Sequence, residues 1–321
     1  MITRLYRSIL CGAVLFAGTF SVSAQQTSEQ AESGADWFNR MAKALTELNF
    51  EASLVHVHGD QIEPYQWLQG NDPEIGSTEL LIQMNGPDFR ILRVNNKVAH
   101  FNTSASNYAL KSDTITAILP AAFSEPFERL SHSYQVMVGG GARVLGRNAQ
   151  HIRILSRDNQ RYSYALWIDR KHGMPLKMIM MNQSGDVVEQ MQLTSLSVRD
   201  TAPEITKEIS NIEMPPLLKD LRVQSATNYS VGPRWAPRGF KLLSQQSHTL
   251  VVDATPVDHY LFSDGLAEYS VYVAELTEGM ETDLALSSSH TLFSKRYNNF
   301  LVTVVGQVPL AMAQRIAAEV K

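Results

Sequence analysis

Between residues 50 and 196 the chain is written in short alternating runs of apolar and polar residues, each closed by a turn signal. Alternation sends successive side chains to opposite faces of a strand, so a series of such runs commits the chain to a sheet with at least one covered face. The runs lie at residues 50–57, 65–68, 79–84, 89–94 and 98–101, and again at 134–138, 142–145, 151–155, 162–168, 176–181 and 187–196. Gly59-Asp60, Gly70-Asn71-Asp72-Pro73, Asn85-Gly86-Pro87 and Asn95-Asn96 punctuate the first group. Glycine-bearing hairpin loops at 169–173 and 182–186 join the last three runs as a meander. Tyr162, Tyr164, Leu166 and Ile168 share one face there and Ala165 and Trp167 the other, so apolar material is expected on both sides. A helix is expected over 35–48, with Trp37, Met41, Ala44, Leu45 and Leu48 on one stripe, and a short one over 114–123, closed near Pro120. Helices before and within a long antiparallel run define an α+β fold, with the helices on one side of a curved sheet.

Residues 200–222 change character. Acids and three prolines (Pro203, Pro215, Pro216) mark an interdomain linker with one helical turn over 205–212. Residues 223–321 are expected to form a smaller α+β domain, with strands near 241–244, 259–263, 268–276 and 300–305. Pro309 opens a last helix whose stripe is Leu310, Ala313, Ile316, Ala317 and Val320. The first domain is expected over 35–199.

The first 24 residues have the form of an export signal. Arg4 and Arg7 precede an apolar stretch over 8–20 that is short for a membrane span, and Val22-Ser23-Ala24 supplies small residues for cleavage. Cys11, the single cysteine, lies inside that stretch and would leave with it. The exported chain then has no disulfide, thiolate metal site or cysteine nucleophile, and folds on burial alone. A periplasmic location is expected.

The formal charge of −4 argues against a nucleic-acid partner. The distribution says more. Residues 143–177 hold eight Lys and Arg against Asp158 and Asp169, whereas 242–294 hold eight Asp and Glu and neither Lys nor Arg. Opposite fields on one chain suit complementarity between its domains or toward a charged partner.

Motifs for catalysis are missing. Gly139-Gly140-Gly141 lacks the Lys-Ser/Thr of a phosphate loop and reads as a turn. No nucleophile elbow or H-E-x-x-H is present. His56-x-His58 has a spacing that can bind zinc, but no third ligand follows at motif spacing, so no metal is assigned. No cofactor is expected. Met178, Met180, Met181 and Met191 cluster in the last strands of the first domain, and methionine suits adaptable apolar surfaces. With Arg143, Arg153 and Arg161 nearby, an apolar groove with a basic mouth is expected. Arg143, Arg153 and Arg161 would meet lipid phosphates or carboxylates, and Met178 and Met180 the acyl chains.

The same region carries a resemblance. Gly146-Arg147, His151-Ile-Arg-Ile154, Asp158-x-x-Arg161-Tyr-Ser-Tyr-x-x-Trp167-x-Asp169, Gly173-x-Pro175-x-Lys177 and Gly185-x-x-x-Glu189 are its first part. Pro215-Pro216-Leu217-Leu218, Trp235-x-Pro237-x-Gly239-Phe240, Phe262-Ser-Asp-Gly-Leu266 and Val305-Gly-x-x-Pro309 continue it. From about Trp37 to Lys321 the chain resembles the MucB/RseB family of periplasmic sigma-E regulators. The resemblance implies an N-terminal half-barrel like that of LolA-type lipoprotein carriers and a family-specific C-terminal domain. It implies a non-enzymatic regulator that binds the periplasmic domain of the anti-sigma factor RseA and shields it from proteolysis. Lipopolysaccharide or mislocalised lipoprotein would release it. A plain lipoprotein or glycolipid carrier is the alternative, and the acidic second domain speaks for the regulator. A homo-oligomer is compatible with either.

Overall fold

The computed structural model describes residues 32–218, 229–250, 255–277 and 283–321. The expected leader lies outside them. The chain is mostly β, with few helices.

Helix α1 spans Gly34–Glu47. A capping box starts it: the Asp36 N–H donates to Ser33 Oγ at 3.2 Å, and the Ser33 N–H donates back to Asp36 Oδ2 at 2.9 Å. Its buried face includes Trp37, Phe38, Met41 and Leu45. Phe38 meets Phe123 and Phe127 edge-on, with ring centroids 5.7 and 5.4 Å apart. Truncating a fully buried Phe38 to alanine would cost about 3–5 kcal/mol.

Eleven strands follow: β1 Asn49–His58, β2 Gln61–Asp72, β3 Gly76–Gln83, β4 Phe89–Val94, β5 Lys97–Asn102, β6 Tyr108–Lys111, β7 Tyr134–Val144, β8 Arg147–Ser156, β9 Ser163–Asp169, β10 Pro175–Met181 and β11 Val187–Arg199. They form one open antiparallel sheet in the order β6-β5-β4-β3-β2-β1-β11-β10-β9-β8-β7. The first and last halves of the run therefore join at β1–β11, where Phe50 pairs with Val198 and His58 with Glu189. The two faces of β2–β4 alternate. Trp67, Leu81 and Ile91 face the core under α1, whereas Leu68, Leu80 and Leu92 form a second apolar patch on the other face.

Two local expectations need correction. The 114–123 segment is not a helix: residues 114–120 are irregular, and a 3-10 turn, Ala121–Ser124, starts only after Pro120. A residue before proline avoids the α region, so no helix runs through Leu119-Pro120. Ile115, Ile118 and Leu119 are buried all the same. The runs at 134–138 and 142–145 form one strand, and Gly139-Gly140-Gly141 lies in it at a bulge rather than in a turn. A Cβ on Gly139 would come within 2.4 Å of His151 Nδ1, which is why the strand needs glycine there. The segment expected as a linker is packed over its first part. Helix α2, Glu204–Ile209, lays Ile209 on Leu68, Leu80 and Leu92, and Lys207 pairs with Asp72 at 3.3 Å. Further on, the Ala109 N–H donates to the Pro216 carbonyl at 2.8 Å.

The smaller sheet has six strands: β12 Lys241–Thr249, β13 Pro256–Ser263, β14 Glu268–Glu275, β15 Ala285–Ser287, β16 Thr291–Tyr297 and β17 Phe300–Gly306. Its order is β12-β13-β14-β17-β16-β15, and helix α3, Leu310–Ala318, covers it. Ala313, Ile316, Ala317 and Val320 pack on Val271, Val273, Val302 and Val304 in a separate core.

Candidate functional site at the junction of the two sheets

Arg161 stands just before β9, after a turn made by Asp158 and Asn159. Asp158 Oδ1 accepts from Ser156 Oγ at 2.5 Å and from the Gln160 N–H at 3.1 Å, which fixes the turn. Asp158 Oδ2 accepts from Arg161 Nη1. The Arg161 side chain is buried and reaches the small sheet. Its Nη2 donates to the Arg238 carbonyl, and its Nε lies 2.6 Å from Asp264 Oδ2. That last approach is an ion-pair contact without hydrogen-bond alignment.

Asp264 sits in the turn between β13 and β14. Its Oδ1 accepts the Leu266 and Ala267 N–H groups at 3.0 and 2.8 Å, and Tyr134 donates to Oδ2 at 3.0 Å. Phe240 lies under the guanidinium at 5.1 Å. Gly239 has φ +89°, and a Cβ there would come within 2.5 Å of Ser133 Oγ and 3.2 Å of Arg161 Nη2. Only glycine lets the backbone approach this closely. Burial would raise the Asp158 carboxyl, but its hydrogen bonds from Ser156, Gln160 and Arg161 outweigh that and hold its pKa below the ordinary value. Burial pushes the Tyr134 hydroxyl well above its usual range, and the Asp264 charge adds to this.

A second contact lies further along. Tyr162 donates to the Ser288 carbonyl at 2.9 Å, and Leu266 of the small sheet is part of the large sheet's core. Beside the Ser288 contact is a cavity of about 280 Å³ lined from both sheets. Tyr164, Met178, Met180 and Leu119 line it from one side, and Ser288, Ser289, His290 and Gln307 from the other. His56 and Glu189 meet in its wall at 2.9 Å. Burial favours a raised Glu189 carboxyl, but the His56 hydrogen bond and charge win and lower it. Burial lowers the His290 imidazole.

A separate cavity of about 380 Å³ opens between the end of α1, β2–β4 and the 114–124 segment. Leu45, Trp67, Ile115 and Leu119 give it apolar walls. Glu79 and Arg93 line it as a buried pair, 2.8 Å apart, with Trp67 Nε1 on the other Glu79 oxygen at 2.8 Å.

The five residues expected to hold lipid do not share one groove. Met178 and Met180 are buried and line the junction cavity. Cross-strand rows run Ile152–Leu166–Met178 and Arg153–Ala165–Ile179, so Arg153 is exposed on the opposite face from Met178. Arg143 is exposed near the β7–β8 turn. Arg161 is buried against Asp158 and Asp264, and it lines a small cavity of about 130 Å³ with His132, Arg157 and Arg238. Of the other basic residues, Arg147 pairs with Asp169 at 3.0 Å and Arg157 donates to the Ser131 carbonyl at 2.9 Å. The basic and acidic stretches do meet, at Arg161 and Asp264. Asp264 and Gly239 carry the junction but were not singled out as site residues from sequence. Their signal was the motifs Phe262-Ser-Asp-Gly-Leu266 and Trp235-x-Pro237-x-Gly239-Phe240, which sit at this contact.

A large open sheet is tied by a buried charge cluster to a smaller, helix-covered one. Residues 33–218 match the MucB/RseB N-terminal domain and residues 223–321 the MucB/RseB C-terminal domain. The chain belongs to the MucB/RseB family of sigma regulatory proteins. It is 27% identical over 315 residues to the sigma-E factor regulatory protein RseB of Escherichia coli K12, covering 98% of this chain and 96% of that one. It is 28% identical over 298 residues to the sigma factor AlgU regulatory protein MucB of Pseudomonas aeruginosa, covering 91% and 92%. The solved complex of Pseudomonas aeruginosa MucA and MucB superposes with a TM-score of 0.72 at 26% identity, over 90% of this chain and 98% of that one. Another structure, MucB in complex with MucA(peri), gives a TM-score of 0.71. No helix among the described residues is long and apolar enough to cross a membrane.

Proposed function

We propose that this protein acts in the periplasm as a negative regulator of a sigma-E-type envelope stress response. It binds the periplasmic domain of an anti-sigma factor of the RseA/MucA kind and keeps proteases from it. The observation that carries this reading is a match over both sheets to relatives that regulate sigma factors, one of them crystallised with MucA. The junction supports it: Arg161, Asp264 and Gly239 hold the sheets together as one partner-binding unit. Lipid opposes partner binding, as linkage requires of a ligand that favours a partner-incompetent state. The cavity between α1 and β2–β4 is the larger apolar candidate for acyl chains, with the junction cavity at Met178 and Met180 the second. Exposed Arg143 and Arg153 remain available to anionic headgroups from the outside.

The test uses the chain without residues 1–24 and the periplasmic region of the anti-sigma factor from the same organism. Stoichiometric binding that slows cleavage, and that lipopolysaccharide reverses, is expected. If the chain binds lipoproteins but not the anti-sigma region, it is a carrier and the regulator reading fails.

A further inference from the structure

One cluster of donors lies in the wall of the junction cavity. His56 and His58 are two residues apart on β1, so both point to the same face. The β1–β2 hairpin pairs His56 with Glu63, which returns that carboxylate to the same face. One ligand atom from each of the three lies within 4.8 Å of the others. His58 Nε2 is 3.2 Å from Glu63 Oε2, and the two rings are 5.3 Å apart.

Further polar groups orient these donors. Glu63 is held from both sides: Tyr65 donates to Oε2 at 3.0 Å and Gln83 Nε2 to Oε1 at 3.2 Å. Glu189 adds a second carboxylate at His56. Such outer partners orient ligands and tune their basicity. His56 is buried, whereas His58 and Glu63 are half-buried, so an ion has a way in. His290, from the turn between β15 and β16, lines the same cavity as His56 and His58. Two imidazoles and a carboxylate match Zn²⁺ and its first-row neighbours, whereas Ca²⁺ and Mg²⁺ prefer oxygen alone. At bonds of about 2.0–2.2 Å the donors would draw closer together than they lie here.

We propose that His56, His58 and Glu63 bind one zinc-class divalent ion, and that His290 adds a ligand from the small sheet. Such an ion would tie the sheets at a point distinct from the Arg161–Asp264 contact. The proposal is independent of the anti-sigma reading, because it concerns an ion and can hold or fail with no partner present.

The experiment is calorimetric titration of ZnCl₂ into the chelator-washed chain without residues 1–24, with cobalt absorption as a second readout. One site of micromolar or tighter affinity is expected, with a tetrahedral cobalt spectrum and a raised melting temperature when zinc is present. His58→Ala and the isosteric Glu63→Gln should each weaken zinc at least tenfold while circular dichroism stays that of the parent. His290→Ala should weaken it severalfold and abolish the melting shift of the small sheet. No zinc uptake by the parent chain, or equal uptake by the His58→Ala/Glu63→Gln double variant, overturns the site. Unchanged affinity in His290→Ala overturns the cross-sheet ligand.

Discussion

Two buried arginines hold this molecule in different ways. Arg93 lies within one sheet. Its Nε meets Glu79 Oε2 at 2.8 Å, its Nη1 donates to the Asn95 carbonyl at 3.1 Å and its Nη2 to Ser77 Oγ at 3.0 Å. All three partners come from β3 or the turn after β4, so adjacent strands bring them in and every nitrogen is used. Arg161 joins two sheets. Asp158 comes from its own turn, but Arg238 and Asp264 come from distant parts of the chain, and its Nε contact is close but misaligned. The first cluster is built by local register. The second depends on a domain contact, held by a glycine and a turn. A charge cluster that costs desolvation and gains imperfect geometry is weak evidence for stability but can specify one arrangement of two parts. That is the property a regulator needs.

The contrast can be broken by mutation. Arg93→Ala should be the most damaging change, since it leaves Glu79 buried without its cation. A loss of about 3–5 kcal/mol is expected in denaturant unfolding, in a single transition of the large sheet. A loss below about 1 kcal/mol would reverse the contrast between the two clusters. Asp264→Asn should cost less, about 1–3 kcal/mol, but split the unfolding into two transitions as the sheets uncouple. A single transition with the parent midpoint would show that the junction does not couple them.

Acid should act on the junction. The Asp158 carboxyl titrates below the ordinary 3.8 when folded. An unfolded chain takes up its proton first as pH falls, so the stability it contributes is complete above about pH 5 and lost as pH drops through the lowered folded value. Melting temperature should therefore decline less steeply below about pH 4.5 in Asp158→Asn than in the parent. Identical slopes would remove Asp158 from the cluster's energetics. The smallest effect belongs to the outer face: Arg153→Glu should change stability by no more than about 0.5 kcal/mol, because the side chain is exposed. Lipopolysaccharide binding to the same variant then shows whether the outer face meets headgroups at all.

The strands were legible because period-two alternation is a local signal. Residues 89–94 read as a strand with the same bounds as β4, and the meander of β9, β10 and β11 follows its hairpin loops. Strand β6 escaped because four residues at a sheet edge carry no alternation worth the name. Gly139-Gly140-Gly141 misled because a glycine run signals a turn unless a neighbour, here His151, crowds the strand. At the site, sequence showed the charges but not their pairing. Arg161 looked like part of an open basic strip, and only the fold returns Asp264 to it across 103 residues of chain. His56-x-His58 looked short of a ligand because Glu63 belongs to no metal motif. The Gly59-Asp60 turn was the available clue, since a hairpin there sets residue 63 opposite residue 56.

The account rests on the two sheets acting as one partner-binding unit held by Arg161 and Asp264. The most direct measurement is calorimetric titration of the anti-sigma factor's periplasmic region into the parent chain and into Asp264→Asn, with both confirmed folded. The account predicts one-to-one binding by the parent and at least tenfold weaker binding by the variant. Equal affinity in the two chains would contradict it.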